Sequence, residues 1–282
     1  VAAPADTRTR ERVNAAVIGI STLAALAGLG MLVWILGDVA LKGVRAINWD
    51  FFTALPAPPG EGGGGLANAI VGTLVLTVVA ALLAVPFGVL AGTYLAEWGQ
   101  AGRFGAAVRY VSDILVSAPS IVVGVFVYLV MVEPMGNFSG LSGAVALGII
   151  MIPVVTRTTE EMLRLVPPEM REATLALGAP YWKMMLGVIY RAAAAGMLTG
   201  ILLAVARVSG ETAPLLFTSL NSPYWMESLN EPVANLTVTL FNYAMSPYDD
   251  WHAMAWGAAF LITAAVLALT VLSRMMLLKK TR

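Results

Sequence analysis

The sequence predicts an all-α integral membrane protein with six transmembrane helices, and three observations carry that prediction. Of its 282 residues, 59% are hydrophobic and only 12% are charged, with a mean hydropathy of +0.80. Soluble domains are about 45–50% apolar and roughly a quarter charged. The apolar residues also fall in long runs, of the order of the 20 or so that a helix needs to cross a bilayer. Finally, lysine and arginine collect in alternate connections between those runs, the pattern of cytoplasmic loops.

The first run is Val13–Leu41, preceded by Arg8, Arg10 and Arg12 in an expected cytoplasmic tail at residues 1–12. It is longer than a signal-peptide core and has no clear cleavage site, so it is read as a retained span. The glycine- and proline-rich "LPAPPGEGGGGLA" then reads as a flexible connector to the second run, Leu66–Ala96. Tyr110–Val132 and the shorter Leu141–Thr156 make the third and fourth, Ala192–Leu220 the fifth and Trp251–Leu278 the sixth. Pro86, Pro119 and Pro153 lie inside three of them and are expected to kink the bundle, with gating hinges as the alternative. The connection Asn221–Asp250, with "SPYW" and "SPYDDW", reads as an outer loop of turns flanked by the interfacial Trp225 and Trp251. The whole chain, 1–282, is one transmembrane domain.

With the N-terminus inside, the inner segments hold Arg8, Arg10, Arg12, Arg103, Arg109, Arg157, Arg164, Arg171, Lys183, Arg191, Arg274, Lys279, Lys280 and Arg282. Lys42 and Arg45 fall outside, and Arg207 lies within a span. Both termini are therefore expected to be cytoplasmic.

Composition also excludes. A net charge of +0 makes no case for nucleic acid. The absence of cysteine removes disulfides, thiolate metal sites and cysteine nucleophiles, and a single histidine, His252, removes imidazole clusters. No Gly-x-x-x-x-Gly-Lys-Ser/Thr loop is present, so the chain is not expected to bind ATP or to be an enzyme by itself. The carboxylates are scattered over loops, which leaves a metal site or an intramembrane lipid enzyme without its residues.

Two stretches carry chemistry. The inner connection 157–191 contains Pro168, Gly178 and Pro180. Pro168 suits the first turn of a helix running from Glu169 to about Leu177. Gly178 suits a left-handed stop, and Pro180 starts a second short helix. Ala173, Ala176 and Gly178 form a small-residue surface, with Met184, Met185 and Leu186 as adaptable apolar contact. Docking of a partner and lying on the bilayer surface are both open on pattern alone.

The other stretch is "AVARVSGETAPLLF", Ala204–Phe217. Arginine at the centre of a membrane helix costs roughly 2.5–3.5 kcal/mol on insertion scales and faces protein or a wet cavity. Arg207 and Glu211, four apart, would share a helix face; a self-neutralising ion pair is the structural alternative. Arginine's planar fork suits an oxyanion, Ser209 and Thr212 add hydroxyls, Gly210 permits a bend, and Pro214 interrupts the helix. Glu211 either holds Arg207 and keeps affinity weak, or accepts the proton of a hydrogen-bearing anion. Arg109 and Asp113, also four apart, read as an interfacial pair or a gate. Arg157 reads as an inside anchor or as steering at an exit.

The segment "EATLALGAPYWKMMLGVIYR" resembles the EAA loop of ABC-importer permeases, on Glu172, Ala173 and Gly178, with Thr174 replacing the second alanine. Tyr190 and Arg191 depart from that family's Leu-Pro ending. The stretches Asn68–Trp98, "SDILVSAPSIVVGVFVY", "IPVVTRTTEEMLRLVP" and "ARVSGETAPLL" resemble the phosphate-importer permeases within that group. The Ala-Pro after Gly-Glu-Thr is closer to the PstA type than to the PstC type. The resemblance implies an ABC-importer permease fold in a bacterial or archaeal cytoplasmic membrane. It implies an Arg207/Glu211 pair on a phosphate pathway, and Glu172, Ala173, Thr174 and Gly178 as the coupling element for a cytoplasmic ATPase dimer. The expected partners are that ATPase, which holds ATP and magnesium, a homologous PstC-type permease subunit, an extracytoplasmic phosphate-binding protein, and membrane lipid. The competing reading is a permease for another oxyanion or an ion-coupled secondary transporter, for which the EAA-like loop has no purpose.

Overall fold

The structure, a computed structural model, describes residues 7–100 and 102–280. The first six residues of the expected tail, and Arg282, lie outside the described residues. The described chain is helical: α1 Thr7–Ala46, α2 Trp49–Thr53, α3 Ala67–Glu97, α4 Arg103–Ser117, α5 Ser120–Val127, α6 Glu133–Met135, α7 Gly140–Arg164, α8 Pro168–Ala176, α9 Tyr181–Met184, α10 Tyr190–Ser209, α11 Ala213–Thr218, α12 Leu236–Ala244 and α13 Asp249–Lys280. Wide π turns join α5 to α6 and α9 to α10. Among the described residues, five helices are long and apolar enough to cross a membrane: α1, α3, α7, continuous α9–α10, and α13. The bent pair α4 and α5–α6 makes a sixth if counted as one span.

Helix α7 is the axis of the bundle. Its membrane-length stretch is the most buried of the five, and it packs against α3, α4, α5, α10 and α11. Small residues set the closest approaches. A side chain at Gly88 would meet Val155, and one at Gly92 would meet Thr156 and Thr159; Gly200 faces Thr158. Backbones that come this close gain dispersion contacts, which drive helix association in lipid where water supplies no hydrophobic force. Around those contacts Leu76, Ala80, Leu147, Met151, Val208, Leu215 and Val238 form the largest buried cluster.

Three elements differ from the sequence expectation. The third run is no straight span: α4 and the α5–α6 segment meet at 103°. Pro119 drives Ala118 before it out of the helical region, and both adopt extended ψ, 137° and 132°. The connection Asn221–Asp250 is not only surface turns. Asn235 caps α12 through Val238 N, and α12 is buried against α13 and α3. Gly72 admits the Ala234 carbonyl against α3. The glycine-rich connector has its ends pinned: Gly65 N donates to Leu55 O and Leu66 N to Phe51 O. Pro86 and Pro153, by contrast, sit within continuous helices.

Helix α1 is exposed along its apolar length. It meets the bundle at its end, where Gly43 packs on Phe260 and the Lys42 ammonium lies 4.5 Å from the Trp256 ring.

Candidate functional site

The fifth run breaks where its sequence carries charge. Helix α10 stops at Ser209, Gly210 N donates to Arg207 O, Glu211 N donates to Val208 O, and α11 begins at Ala213 with Pro214 in its first turn. Pro214 backbone atoms pack against Gly124 of α5, where any side chain would clash. The freed Glu211 carbonyl is taken by the buried Thr237 hydroxyl at 3.0 Å, from the first turn of α12. A broken helix is thus satisfied by a segment folded back from the far connection, as irregular backbone at membrane depth requires.

The break corrects the reading of Arg207 and Glu211 as helical neighbours on one face. Arg207 lies in the last turn of α10, where a cation complements the helix dipole, and Glu211 lies beyond it. No ion pair joins them among the described residues. Arg207 is exposed on this chain and Glu211 and Thr212 are half-buried. Ser209 stands apart. Two residues turn an α-helix by about 200°, and Ser209 lines an apolar groove of ≈ 630 Å³ with Thr73, Thr77, Leu236 and Leu261. Its hydroxyl donates to Ala206 O.

At the opposite end of the bundle α4 lies on α7. Here too the expected pairing is corrected: Arg109 and Asp113 do not pair with each other. Arg109 Nε binds Glu160 at 2.8 Å and its Nη2 reaches Leu95 O, while Asp113 binds Arg157 at 2.8 Å. Glu160, 7% exposed, also accepts from Arg164 at 2.8 Å. A cavity of ≈ 60 Å³ lies among these groups and Ser112 and Thr156. An i,i+4 rule sees only one helix at a time; the antiparallel neighbour offered each charge a better partner.

The connection 157–191 has the predicted helix–turn–helix. α8 ends at Ala176, Gly178 adopts φ +80°, and α9 starts after Pro180. Glu172, Ala173 and Gly178 are exposed and Thr174 is half-buried with its hydroxyl on Met170 O. Leu177 is 88% exposed, the most exposed large apolar side chain of the turn. Met184 and Met185 belong instead to a buried cluster with Leu163, Val166 and Ile189, and Leu186 alone of the three stays exposed.

Sequence reading missed what holds this loop. Arg171 Nε and Nη2 grip Glu97 at the end of α3, with a shortest distance of 2.7 Å. Its Nη1 and Nη2 donate to Val166 O and Leu163 O at the end of α7. Tyr181 Oη donates to Glu97 Oε2 at 2.8 Å, an oxygen that Arg171 Nε also reaches, beside the Trp98 ring. A glutamate closing an apolar run, next to a proline-led helix bearing arginine, was the available signal.

A helical bundle with broken spans and an exposed helix–turn–helix between two of them defines a multi-pass membrane permease. Two solved structures of the inward-facing MetNI methionine ABC transporter share the fold. One matches with a TM-score of 0.64 at 19% identity over 77% of this chain and 96% of that one; the other gives 0.59 at 18%. The chain belongs to the family of binding-protein-dependent transport system inner membrane components, whose model matches residues 84–278. Its curated relatives include proteins called phosphate transport system permease protein PstA. That of Yersinia pestis is 47% identical, covering 96% of this chain and 92% of its own length. That of Xylella fastidiosa (strain Temecula1) is 49% identical over 96% and 95%. The corresponding protein of Mycobacterium leprae is 35% identical over 93% and 88%.

Proposed function

We propose that this chain is the PstA-type permease subunit of an ATP-driven inorganic phosphate importer, supplying half of the translocation pathway. The single observation that carries this beyond family membership is Arg207. It is an exposed guanidinium within a membrane-length helix, with no carboxylate partner among the described residues, beside a break in that helix. Such a charge is tolerated where it faces protein or water, and its fork of donors fits an oxyanion. A second, homologous PstC-type subunit supplies the other wall. Glu211 and the backbone of the break tune the site, Glu211 either weakening affinity or accepting the proton of hydrogen phosphate.

The sequence has no Gly-x-x-x-x-Gly-Lys-Ser/Thr loop, and in this reading a cytoplasmic ATPase dimer carrying ATP and magnesium supplies the energy. Glu172–Gly178 docks on it, with Leu177 as the projecting contact. An extracytoplasmic phosphate-binding protein delivers the ion to the Arg207 end. Arg109, Asp113 and Arg157 form the inner gate, where α4 separates from α7 to release the ion. Both termini lie in the cytoplasm, in keeping with the basic inner connections.

Reconstitution with these partners tests the reading. ATP-driven uptake of phosphate, with sulfate and molybdate transported poorly, is the expected result. Equal uptake of the three anions, or uptake without ATP, overturns it.

A further inference from the structure

We propose that Arg171 is a positioning residue: it locks α8 to the inner ends of α3 and α7, so that a push on the loop moves those spans. This rests on the reading of the chain as an ATP-driven permease. Helix α8 otherwise packs on α9 and the π turn before α10. The chain between α7 and α8 is a short stretch around Val166 and Pro167. Without a side-chain link, force on α8 would reach α10 through packing and α7 through the short connection, and would reach α3 only indirectly, through its packing on α7.

The geometry of Arg171 supplies the missing link. One guanidinium spans three elements, with its shared fork on Glu97 and separate donors on Leu163 O and Val166 O. Its side chain is 20% exposed and that of Glu97 6%. The electrostatics make the joint obligatory. Helices α3 and α7 both end here, and helix C-termini carry partial negative charge. A carboxylate at the end of α3 adds to that field, and burial strengthens it. Arg171 is the cation that answers all three, and Tyr181, at the start of α9, donates a further hydrogen bond to the same carboxylate. The clamp therefore makes α3, α7, α8 and α9 one body at the inner end. Lysine keeps the charge but reaches one point, without the fork, so Arg171→Lys is the informative variant and Glu97→Gln its counterpart.

The test uses the full complex in lipid with ATPase and binding protein, measuring phosphate imported per ATP hydrolysed. Because the chain has no cysteine, spin labels at Leu82→Cys on α3 and Glu169→Cys on α8 report their separation with and without ATP. With Arg171 intact, that distance stays narrow and unchanged on adding ATP. In Arg171→Lys it broadens, and phosphate per ATP falls about fivefold or more, the scale of an ordinary coupling energy, while ATP turnover and the amount of complex stay near wild type. An unchanged ratio and distance in both variants overturns the proposal. So does a loss of uptake that merely tracks a loss of assembled complex, which marks Arg171 as structural. If the unaltered complex imports no phosphate, the phosphate reading falls instead, and the distance measurement, which needs only ATP and the ATPase, still decides the clamp.

Discussion

Thr237 donates its hydroxyl to the carbonyl of Glu211 at 3.0 Å, joining a helix that folds back from the far connection to the point where α10 breaks. The same hydroxyl lies 3.0 Å from Asn235 Oδ1, the cap of α12. The break is therefore held by a distant segment, residues 235–237, as well as marked by Gly210 and Pro214. Replacing the hydroxyl by a methyl in Thr237→Val leaves a half-buried carbonyl without its donor, at a cost of about 1 kcal/mol. Thermal unfolding in detergent should show a lower midpoint, and phosphate uptake should fall with it. An unchanged midpoint would show that the contact holds nothing.

Arg207→Ala should abolish phosphate uptake while the subunit still assembles with its partners, because the side chain is exposed and makes no ion pair among the described residues. Arg207→Lys should retain a fraction of activity, since a point charge replaces the planar fork. Uptake assays paired with co-purification of the complex separate loss of transport from loss of assembly.

Glu160 and Asp113 predict unequal costs where α4 lies on α7. Glu160 is buried and shared by Arg109 and Arg164, so Glu160→Gln leaves cations without their partner. Breaking a buried pair from one side costs about 3–5 kcal/mol; Arg109 and Arg164 are 29% and 45% exposed, which places the loss below that range. Asp113 is half exposed beside an equally exposed Arg157, and Asp113→Asn should cost about 1 kcal/mol or less. Unfolding midpoints of the two variants, measured side by side, check the order.

Gly92→Val should prevent close packing of α3 on α7, because the new side chain meets the Thr156 carbonyl and Thr159. Overpacking of this kind costs typically about 1–3 kcal/mol, and backbone in the way makes relief harder. Reduced yield of folded protein from membranes is the expected outcome.

Gly178→Ala meets no atom within 4 Å, yet φ there is +80°. The strain is conformational, about 1–2 kcal/mol for a residue with Cβ, and it falls on the turn that presents Leu177. Weaker recovery of the ATPase on affinity-tagged complex, with folding of the spans intact, is predicted.

What the sequence made legible followed local rules. Pro168, Gly178 and Pro180 dictated the turn between α8 and α9 because proline and glycine restrict the backbone wherever they stand. Gly210 and Pro214 marked the break for the same reason. Long apolar runs marked the spans because lipid demands them. Features set by distant neighbours were hidden. Pro119 read as a kink, and its 103° turn needed α7 and α11 as surfaces for the two arms. Helix α12, short and rich in β-branched residues, lacks the length that marks a buried helix. Arg109 and Asp113 looked like a local pair because spacing reveals only one helix, whereas in the fold they bind Glu160 and Arg157 of α7.

The central claim, that a dissolved anion passes Arg207, has a direct measurement. Arg207→Cys is the sole thiol in this otherwise cysteine-free chain, and its labelling by a charged, water-soluble thiol reagent can be followed in the assembled complex, provided partner thiols are first removed. Rapid labelling whose rate changes when ATP is added is the predicted result. Labelling by a lipid-soluble maleimide alone, with the charged reagent inert in every state, would place the residue against hydrocarbon and contradict the account.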